Sequence, residues 1–124
     1  MQQNDAEAAN WYQMAGEQGD AHAQHCLGVM YYDGTGVPQN HIEAVKWFCM
    51  AAERGYASAQ LSLGLMYARG QGVAVDHVRA HMWFALAAVQ GDEGAATNRE
   101  TAVTRMTSEQ IAEAERLARE WKPK

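Results

Sequence analysis

The sequence has few of the features that mark two common classes of protein. It contains 10 Lys and Arg residues against 15 Asp and Glu, which gives a formal net charge of −5. The cations form no block, whereas a nucleic-acid-binding protein needs clustered cations to neutralise phosphates. No apolar run approaches the roughly 18 residues that a membrane-spanning helix needs, and the first residues carry no secretion signal. We therefore expect neither nucleic-acid binding nor membrane insertion.

Cysteine is also scarce, because the chain has only Cys26 and Cys49. A small protein held together by disulfides would contain more. We predict that both are small buried hydrophobic residues. Whether a disulfide joins them depends on the distance between their Cα atoms, which the sequence does not give. The sequence also leaves the cellular compartment of the protein undecided. Free thiols favour the cytoplasm, and the periplasm or secretion is the alternative if a signal peptide was removed from a longer parent.

What the chain does have is a 36-residue repeat. Trp11, Trp47 and Trp83 follow this step. The same step relates a set of glycines, two sets of alanines and the aromatic after each Trp: Gly19, Gly55, Gly91; Ala8, Ala44, Ala80; Ala15, Ala51, Ala87; Tyr12, Phe48, Phe84. A fixed period of this length is typical of repeat proteins, in which stacked units bury one continuous core. The Trp residues are therefore interpreted as core residues.

The repeat also explains two glycine-rich corners, "GTGV" at 34–37 and "GQGV" at 70–73. Such a corner resembles part of a phosphate loop, but that loop follows a strand and carries Gly-Lys-Ser/Thr. Here the preceding residues form a helical stripe with spacings of 3, 4 and 7: Leu61, Gly64, Leu65 and Ala68. We therefore predict that the glycines end a helix and turn the chain.

Hydrophobic periodicity predicts two helices in each unit. The first type covers 21–33 and 57–69, and the second type covers about 41–54 and 77–90. At the ends, 5–18 is a second-type helix, 93–105 is a degenerate first-type helix, and "TSEQIAEAERLAREW" is a capping helix with a Thr107–Gln110 capping box. The prediction is one all-α domain over 1–124, an α-solenoid of about seven helices in stacked antiparallel pairs. Its divisions are a partial repeat (1–20), two repeats (21–56 and 57–92) and a degenerate repeat with the capping helix (93–124).

The predicted N-terminal edge of the stack has a consequence for association. The helix at 5–18 has no preceding partner, so the apolar surface around Trp11, Tyr12 and Met14 should be partly open. Exposed apolar patches commonly mark association sites. We expect self-association through this edge, or binding of a missing segment there.

The repeated residues resemble the Sel1-like repeat family, relatives of the tetratricopeptide repeats. The matching patterns are "A-x-A-Q-x-x-L-G-x-M-Y" (21–31 and 57–67), "G-x-G-V" and "A-x-x-W-F-x-x-A-A-x-x-G" (44–55, and 80–91 with Val89 and Gln90 near its end). The resemblance implies an α-solenoid without chemistry of its own that serves as an adaptor. Some members have one disulfide per repeat, and this chain departs from them because its cysteines occupy non-equivalent positions.

Histidine offers the only candidate chemistry. His77 and His81 lie four residues apart on one predicted helix and could share a metal, but Val78 stands where a zincin has Glu. His77 and His41 also stand near helix starts, where a polar residue is useful for capping. His22 and His25 lie beside Cys26 without a legible orienting group or oxyanion site. We interpret these two histidines as partly exposed polar residues, and we predict no catalytic residue, no metal and no cofactor.

The resemblance implies that the first helix of each pair lines a concave groove. The predicted partner-binding residues differ between copies while the packing positions repeat: His22, His25, Val29, Tyr32, Asp33, Ser58, Leu61, Leu65, Ala68, Arg69, Thr97, Thr101 and Arg105, with Gly94 and Thr104 at matching positions. This mixture fits a peptide with an apolar anchor and acidic character. The predicted function is a non-enzymatic protein-interaction module. The alternative is a binder of a small molecule, metal or cell-wall fragment, or a weak hydrolase, on the same scaffold.

Overall fold

The structure is a computed structural model that describes residues 4–124. Over this range the chain forms seven α-helices and no strand: α1 (Asp5–Glu17), α2 (Ala21–Asp33), α3 (His41–Glu53), α4 (Ala57–Arg69), α5 (His77–Val89), α6 (Glu93–Val103) and α7 (Ser108–Glu120). Each helix from α1 to α5 packs on the next, and α7 packs on α5. The predicted α-solenoid is confirmed, with helix ends within two residues of the predicted ones. None of the seven helices is long and apolar enough to cross a membrane.

The N-caps of α3 and α5 are the residues immediately before His41 and His77. Asn40 and Asp76 are the N-caps of α3 and α5, and their side-chain oxygens accept hydrogen bonds from the amides of Glu43 and Arg79. A side-chain oxygen at this position satisfies an amide that has no partner within the helix. The interpretation of His41 and His77 as capping residues is therefore wrong.

The glycine corners follow α2 and α4 and do not surround a phosphate site. Gly36 and Gly72 have φ values of +76° and +75°. A Cβ at these positions would overlap the backbone carbonyls of Asp5 and His41, at the starts of α1 and α3. Each corner therefore needs glycine both for its left-handed backbone and for its close approach to the preceding repeat.

The core lies between successive helix pairs. Trp47 and Trp83 are 5% exposed, and Phe48 and Phe84 are buried beside them. Gln24 and Gln60 are buried as well, and their amides donate hydrogen bonds to the carbonyls of Gly16 and Ala52 near the ends of α1 and α3 (2.9 and 3.2 Å). Because a buried amide must find partners, these glutamines fix each first-type helix to the helix before it.

The C-terminal end of the stack is closed by α7. The Thr107–Gln110 capping box is present as predicted, and the Trp121 ring packs edge-on against Trp83 with centroids 6.0 Å apart. On the outer side of α7, Arg116 forms ion pairs with two exposed glutamates. A helix with one apolar face and one charged face can end a solenoid without leaving an apolar surface.

Candidate functional site

Three pockets follow one another along the face that the first-type helices α2, α4 and α6 present. Each pocket contains the aromatic that follows a repeated Trp, namely Tyr12, Phe48 or Phe84. The residues that line them are related by the 36-residue step, so the three pockets are copies of one feature. We call them the N-terminal, central and C-terminal pockets, and the surface that joins them the groove.

The central pocket lies between α2 and α4 and has a volume of about 170 Å³. Val29 and Tyr32 line it from α2, Leu65 and Arg69 line it from α4, and Phe48 of α3 contributes its ring between them. The exposed lining is mostly apolar. A pocket of this kind can hold one apolar side chain of a partner.

The C-terminal pocket is the equivalent site between α4 and α6, with Phe84 of α5 in the position of Phe48. Arg69 lies on its α4 side and Arg105 on its α6 side. Leu65 also lines it, so Leu65 and Arg69 belong to both pockets. Arg69 therefore lies between the two pockets and lines both of them.

The N-terminal pocket differs from the other two because no first-type helix precedes it within residues 4–124. Tyr12 takes the place of Phe48, and His25, Cys26 and Val29 line the pocket from α2. It is therefore walled by a first-type helix on one side only.

The structure brings together most of the predicted binding residues. The pockets include His25, Val29, Tyr32, Leu65, Ala68, Arg69, Thr101 and Arg105. Five others line none of the three: His22, Asp33, Ser58, Leu61 and Thr97. Sequence reasoning assigned Phe48 and Phe84 to packing alone and did not predict their place in the pockets. The signal that could have found them is the aromatic that recurs after each Trp beside a first-type helix.

Tyr32 is held in place from three sides. Its ring stacks on His41 with centroids 4.9 Å apart. Its hydroxyl donates a hydrogen bond to Oε1 of Gln71 (3.1 Å), and its ring packs against the core cluster that contains Phe48. Tyr32 is therefore a fixed wall of the central pocket. Its replacement by Ala would disturb packing as well as binding.

The two groove arginines have no ionic partner within residues 4–124. Arg69 and Arg105 are exposed, and neither forms an ion pair with another residue of the described range 4–124. In a chain with a formal net charge of −5, two unpaired guanidinium groups beside apolar pockets form a local cationic site. Guanidinium binds carboxylate with strong bidentate hydrogen bonds.

His25, which lines the N-terminal pocket, gains charge less readily than an ordinary histidine. Its ring packs beside Phe48 and Tyr56, and its Nε2 lies 3.4 Å from the Ser62 hydroxyl. Burial, and then the nearby His22, lower the pKa of His25 below its ordinary value of 6.5. His25 therefore gains its charge only at a lower pH than an ordinary histidine does.

The cysteines are free thiols and only half-buried, so the prediction that both are buried is wrong. The Sγ atom of Cys26 lies 3.6 Å from Nε2 of His22, but burial raises the pKa of this thiol. Burial and a hydrogen bond to Glu53 raise the pKa of Cys49 to about 11. Because the thiolate is the nucleophile, neither cysteine has the environment of a catalytic one.

His77 and His81 lie in different environments, although both are on α5. His77 lies at the edge of the C-terminal pocket, whereas His81 is buried. Burial, and then Arg99, lower the pKa of His81. Residues 4–124 contain no group of three or more His, Cys, Asp and Glu side chains placed to hold a metal ion.

Helix pairs that repeat every 36 residues and share one face of equivalent pockets define an α-solenoid repeat protein. A family model described as Sel1 repeat matches residues 1–20, 21–56 and 57–92. The chain therefore belongs to the Sel1 repeat family. Proteins of this family generally act as scaffolds for protein interactions and are generally non-enzymatic.

Two solved structures are similar to the chain. One is a protective antigen present in uropathogenic Escherichia coli strains that displays the Sel1-like repeat fold, with a TM-score of 0.93 and 31% identity over 98% of this chain. The other is a Sel1 repeat protein from Oxalobacter formigenes, with a TM-score of 0.77 and 38% identity over 80% of this chain. The chain spans 27% and 41% of their lengths, respectively. A search of curated proteins found no match.

Proposed function

We propose that the chain is a non-enzymatic interaction module whose groove binds a peptide segment of a partner protein. In this proposal it is a single domain, with residues 93–124 as a degenerate repeat and its cap. The observation that carries the proposal is the position of Arg69, which lies between two aromatic-containing pockets and is free of ion pairs within residues 4–124. Two apolar pockets with a cation between them match a peptide that carries two apolar side chains and a carboxylate.

The charges along the groove give the bound peptide a direction. The position occupied by Arg69 and Arg105 in two copies is Asp33 in the first copy. The acidic part of the peptide should therefore lie toward α4 and α6, because a carboxylate near Asp33 would be repelled. An apolar side chain in the central pocket would anchor the other end.

The spacing of the pockets limits the peptide sequence. Helices that pack side by side are about 10 Å apart, so neighbouring pockets should be separated by about that distance. An extended chain covers roughly 3.3 Å per residue. An extended ligand would therefore carry its two apolar anchors about three residues apart, with Asp or Glu between or just after them.

A displayed peptide library selected against the chain would test the proposal. We expect enrichment of sequences with two apolar residues about three positions apart and at least one carboxylate. The double variant Arg69→Ala, Arg105→Ala should weaken the selected peptides at least tenfold, which corresponds to about 1.4 kcal/mol. Val29→Asp should weaken them as well, because it places a carboxylate in the central pocket without opening the core.

The control is Arg79→Ala, which removes one positive charge from the second-type helix α5 and is matched to each of the single variants Arg69→Ala and Arg105→Ala. Arg79 is exposed and contacts Asp76, so this variant should bind the peptides like the wild-type chain. Equal loss of affinity in the control and in the groove variant would show a general charge effect. Unchanged affinity in both groove variants would contradict the groove proposal.

A further inference from the structure

The stripe on α1 formed by Ala8, Trp11, Tyr12 and Ala15 repeats a pattern that is buried elsewhere in the chain. We call it the α1 stripe. Its equivalents on α3 and α5 are nearly inaccessible, and their Trp residues are 5% exposed. Trp11 is 63% exposed, and no helix of residues 4–124 covers it. The α1 stripe therefore has the chemistry of a helix–helix interface and the exposure of a surface.

The two buried copies show what kind of helix covers this pattern. In each pair a first-type helix lies over the stripe and places a glycine against the aromatic ring. A Cβ on Gly28 would come within 2.6 Å of Phe48, and a Cβ on Gly64 within 2.6 Å of Phe84. Leu27 lies in the same cluster as Trp47. A helix that covers the α1 stripe should thus present a small residue to Tyr12 and an aliphatic residue to Trp11.

The charges around the α1 stripe favour a basic helix. All charged side chains of α1 are acidic, namely Asp5, Glu7 and Glu17. Asp20 joins Trp11 and Met14 around a shallow depression beside the stripe. No basic residue lies in the last turn of α1, where the helix dipole adds negative potential. An incoming helix with Lys or Arg at its exposed positions would be attracted to this end.

The same features disfavour a second copy of the chain as the occupant. Two α1 helices facing each other would bring only like charges together. The degenerate first-type helix α6 carries Arg99 and Glu100 where α2 and α4 have Leu and Gly, so the aromatic ring would meet a long acidic side chain. The helices α2 and α4 already pack on α3 and α5 within their own chain.

We propose that the α1 stripe is a docking site for a basic amphipathic helix of a partner protein, which places Gly or Ala against Tyr12 and a Leu or Met against Trp11. The site meets the N-terminal pocket at Ala8 and Tyr12, but it is separate from the central and C-terminal pockets that carry the proposed function, because no residue of α1 lines those two. The interface that we infer is the one already present twice inside the chain, with α1 in the role of α3 or α5.

The test uses the 124-residue chain and a fluorescent peptide of residues 56–70 that carries Ser58→Lys, which presents the covering face of α4 with two cations. Fluorescence anisotropy should show saturable binding. Gly64→Leu in the peptide should weaken binding at least tenfold, because the larger side chain would collide with the Tyr12 ring. An acidic peptide with Ser58→Glu and Arg69→Glu should also bind at least tenfold more weakly.

Variants of the protein locate the binding site. Trp11→Glu and, separately, Met14→Glu should each weaken the basic peptide at least tenfold while circular dichroism shows an unchanged fold. The matched control is Ile42→Glu, which changes another exposed apolar residue, 71% exposed, on α3 and should leave affinity unchanged. Absence of binding, equal binding of the Gly64→Leu peptide, or insensitivity to both α1 variants would overturn the proposal. So would a wild-type dimer in sedimentation that Trp11→Glu dissociates, because a second copy would then occupy the stripe.

Discussion

Equivalent tryptophans lie at the two ends of the described helix stack, but one is buried and the other is exposed. At the C-terminal end, Trp83 is covered by α4 and α7, and Trp121 packs against it. At the N-terminal end, Trp11 stands at the equivalent repeat position and is mostly exposed. The sequence pattern of a second-type helix therefore produces an apolar stripe. Whether that stripe is buried depends on whether a neighbouring helix packs over it.

The two ends therefore differ in the surfaces that they expose within residues 4–124. A closed end carries a charged outer face, as α7 does through Arg116 and its two glutamate partners. Within residues 4–124, the N-terminal end keeps the α1 stripe exposed at Trp11. The groove is a third kind of surface, in which small pockets remain between helices that are themselves well packed.

The largest expected effect is on the free energy of unfolding, when a buried tryptophan and the exposed one are replaced in turn. Trp83→Ala or Trp47→Ala should reduce the free energy of unfolding by roughly 3–5 kcal/mol, because each removes a large side chain from a packed core. Trp11→Ala should cost about 0.5 kcal/mol or less, as is usual for an exposed site. Denaturant unfolding of the three variants measures this. Equal losses at Trp11 and Trp47 would mean that the N-terminal end is as closely packed as the interior.

A smaller effect compares glycines in the first-type helices. Gly64→Ala should destabilise the chain by about 1–3 kcal/mol, because its Cβ would meet the Phe84 ring. Gly94→Ala in α6 meets no aromatic ring, and its gain in helix propensity is opposed by a Cβ contact of 3.3 Å with Oδ1 of the N-cap Asp92, so it should change stability by less than about 1 kcal/mol. Thermal melts should show a clearly larger loss for Gly64→Ala than for Gly94→Ala. A neutral Gly64→Ala would show that close approach to the ring is not required.

The smallest effect is a pH dependence that belongs to the closed end. His81 lies on α5, buried, near Arg99 of α6 and Glu115 of α7, and its pKa is lowered by burial and Arg99, against the opposite effect of Glu115. Below pH 6.5 the unfolded chain binds a proton that the folded chain takes up less readily, so stability should fall as pH decreases from 7.5 toward 5.5. His81→Gln should make that fall shallower. If the stability of the variant fell by the same amount over this pH range, the pH dependence would come from other groups, such as His25.

The repeat made the fold predictable from the sequence, because each helix pattern occurs more than once and the glycine and Trp spacings fix the register. The degenerate C-terminal helix and the Thr107 capping box were also predictable from local residues. The exposure of Trp11 followed from the absence of a preceding first-type helix in the pattern. These features depend on neighbours in sequence or on the repeat itself.

The pockets were only partly predictable, because they depend on distances between helices. Residue variation between copies pointed to Leu65 and Arg69, but it did not show that the buried rings of Phe48 and Phe84 line the pockets. It also included Leu61, which instead packs beside the cluster of Ala80, Phe84 and Ala102. The lowered pKa of His25 arises from burial beside aromatic rings of α3 and its neighbours, which no local pattern shows.

The most direct test of the groove is NMR mapping of the isotopically labelled chain with a selected acidic, apolar peptide. We predict that amide shift changes concentrate on α2, α4 and α6 around Val29, Leu65, Arg69 and Arg105, and that the Arg69→Ala, Arg105→Ala variant loses them. Shift changes confined to α3, α5 and α7, or to the α1 stripe with the groove unaffected, would contradict the account.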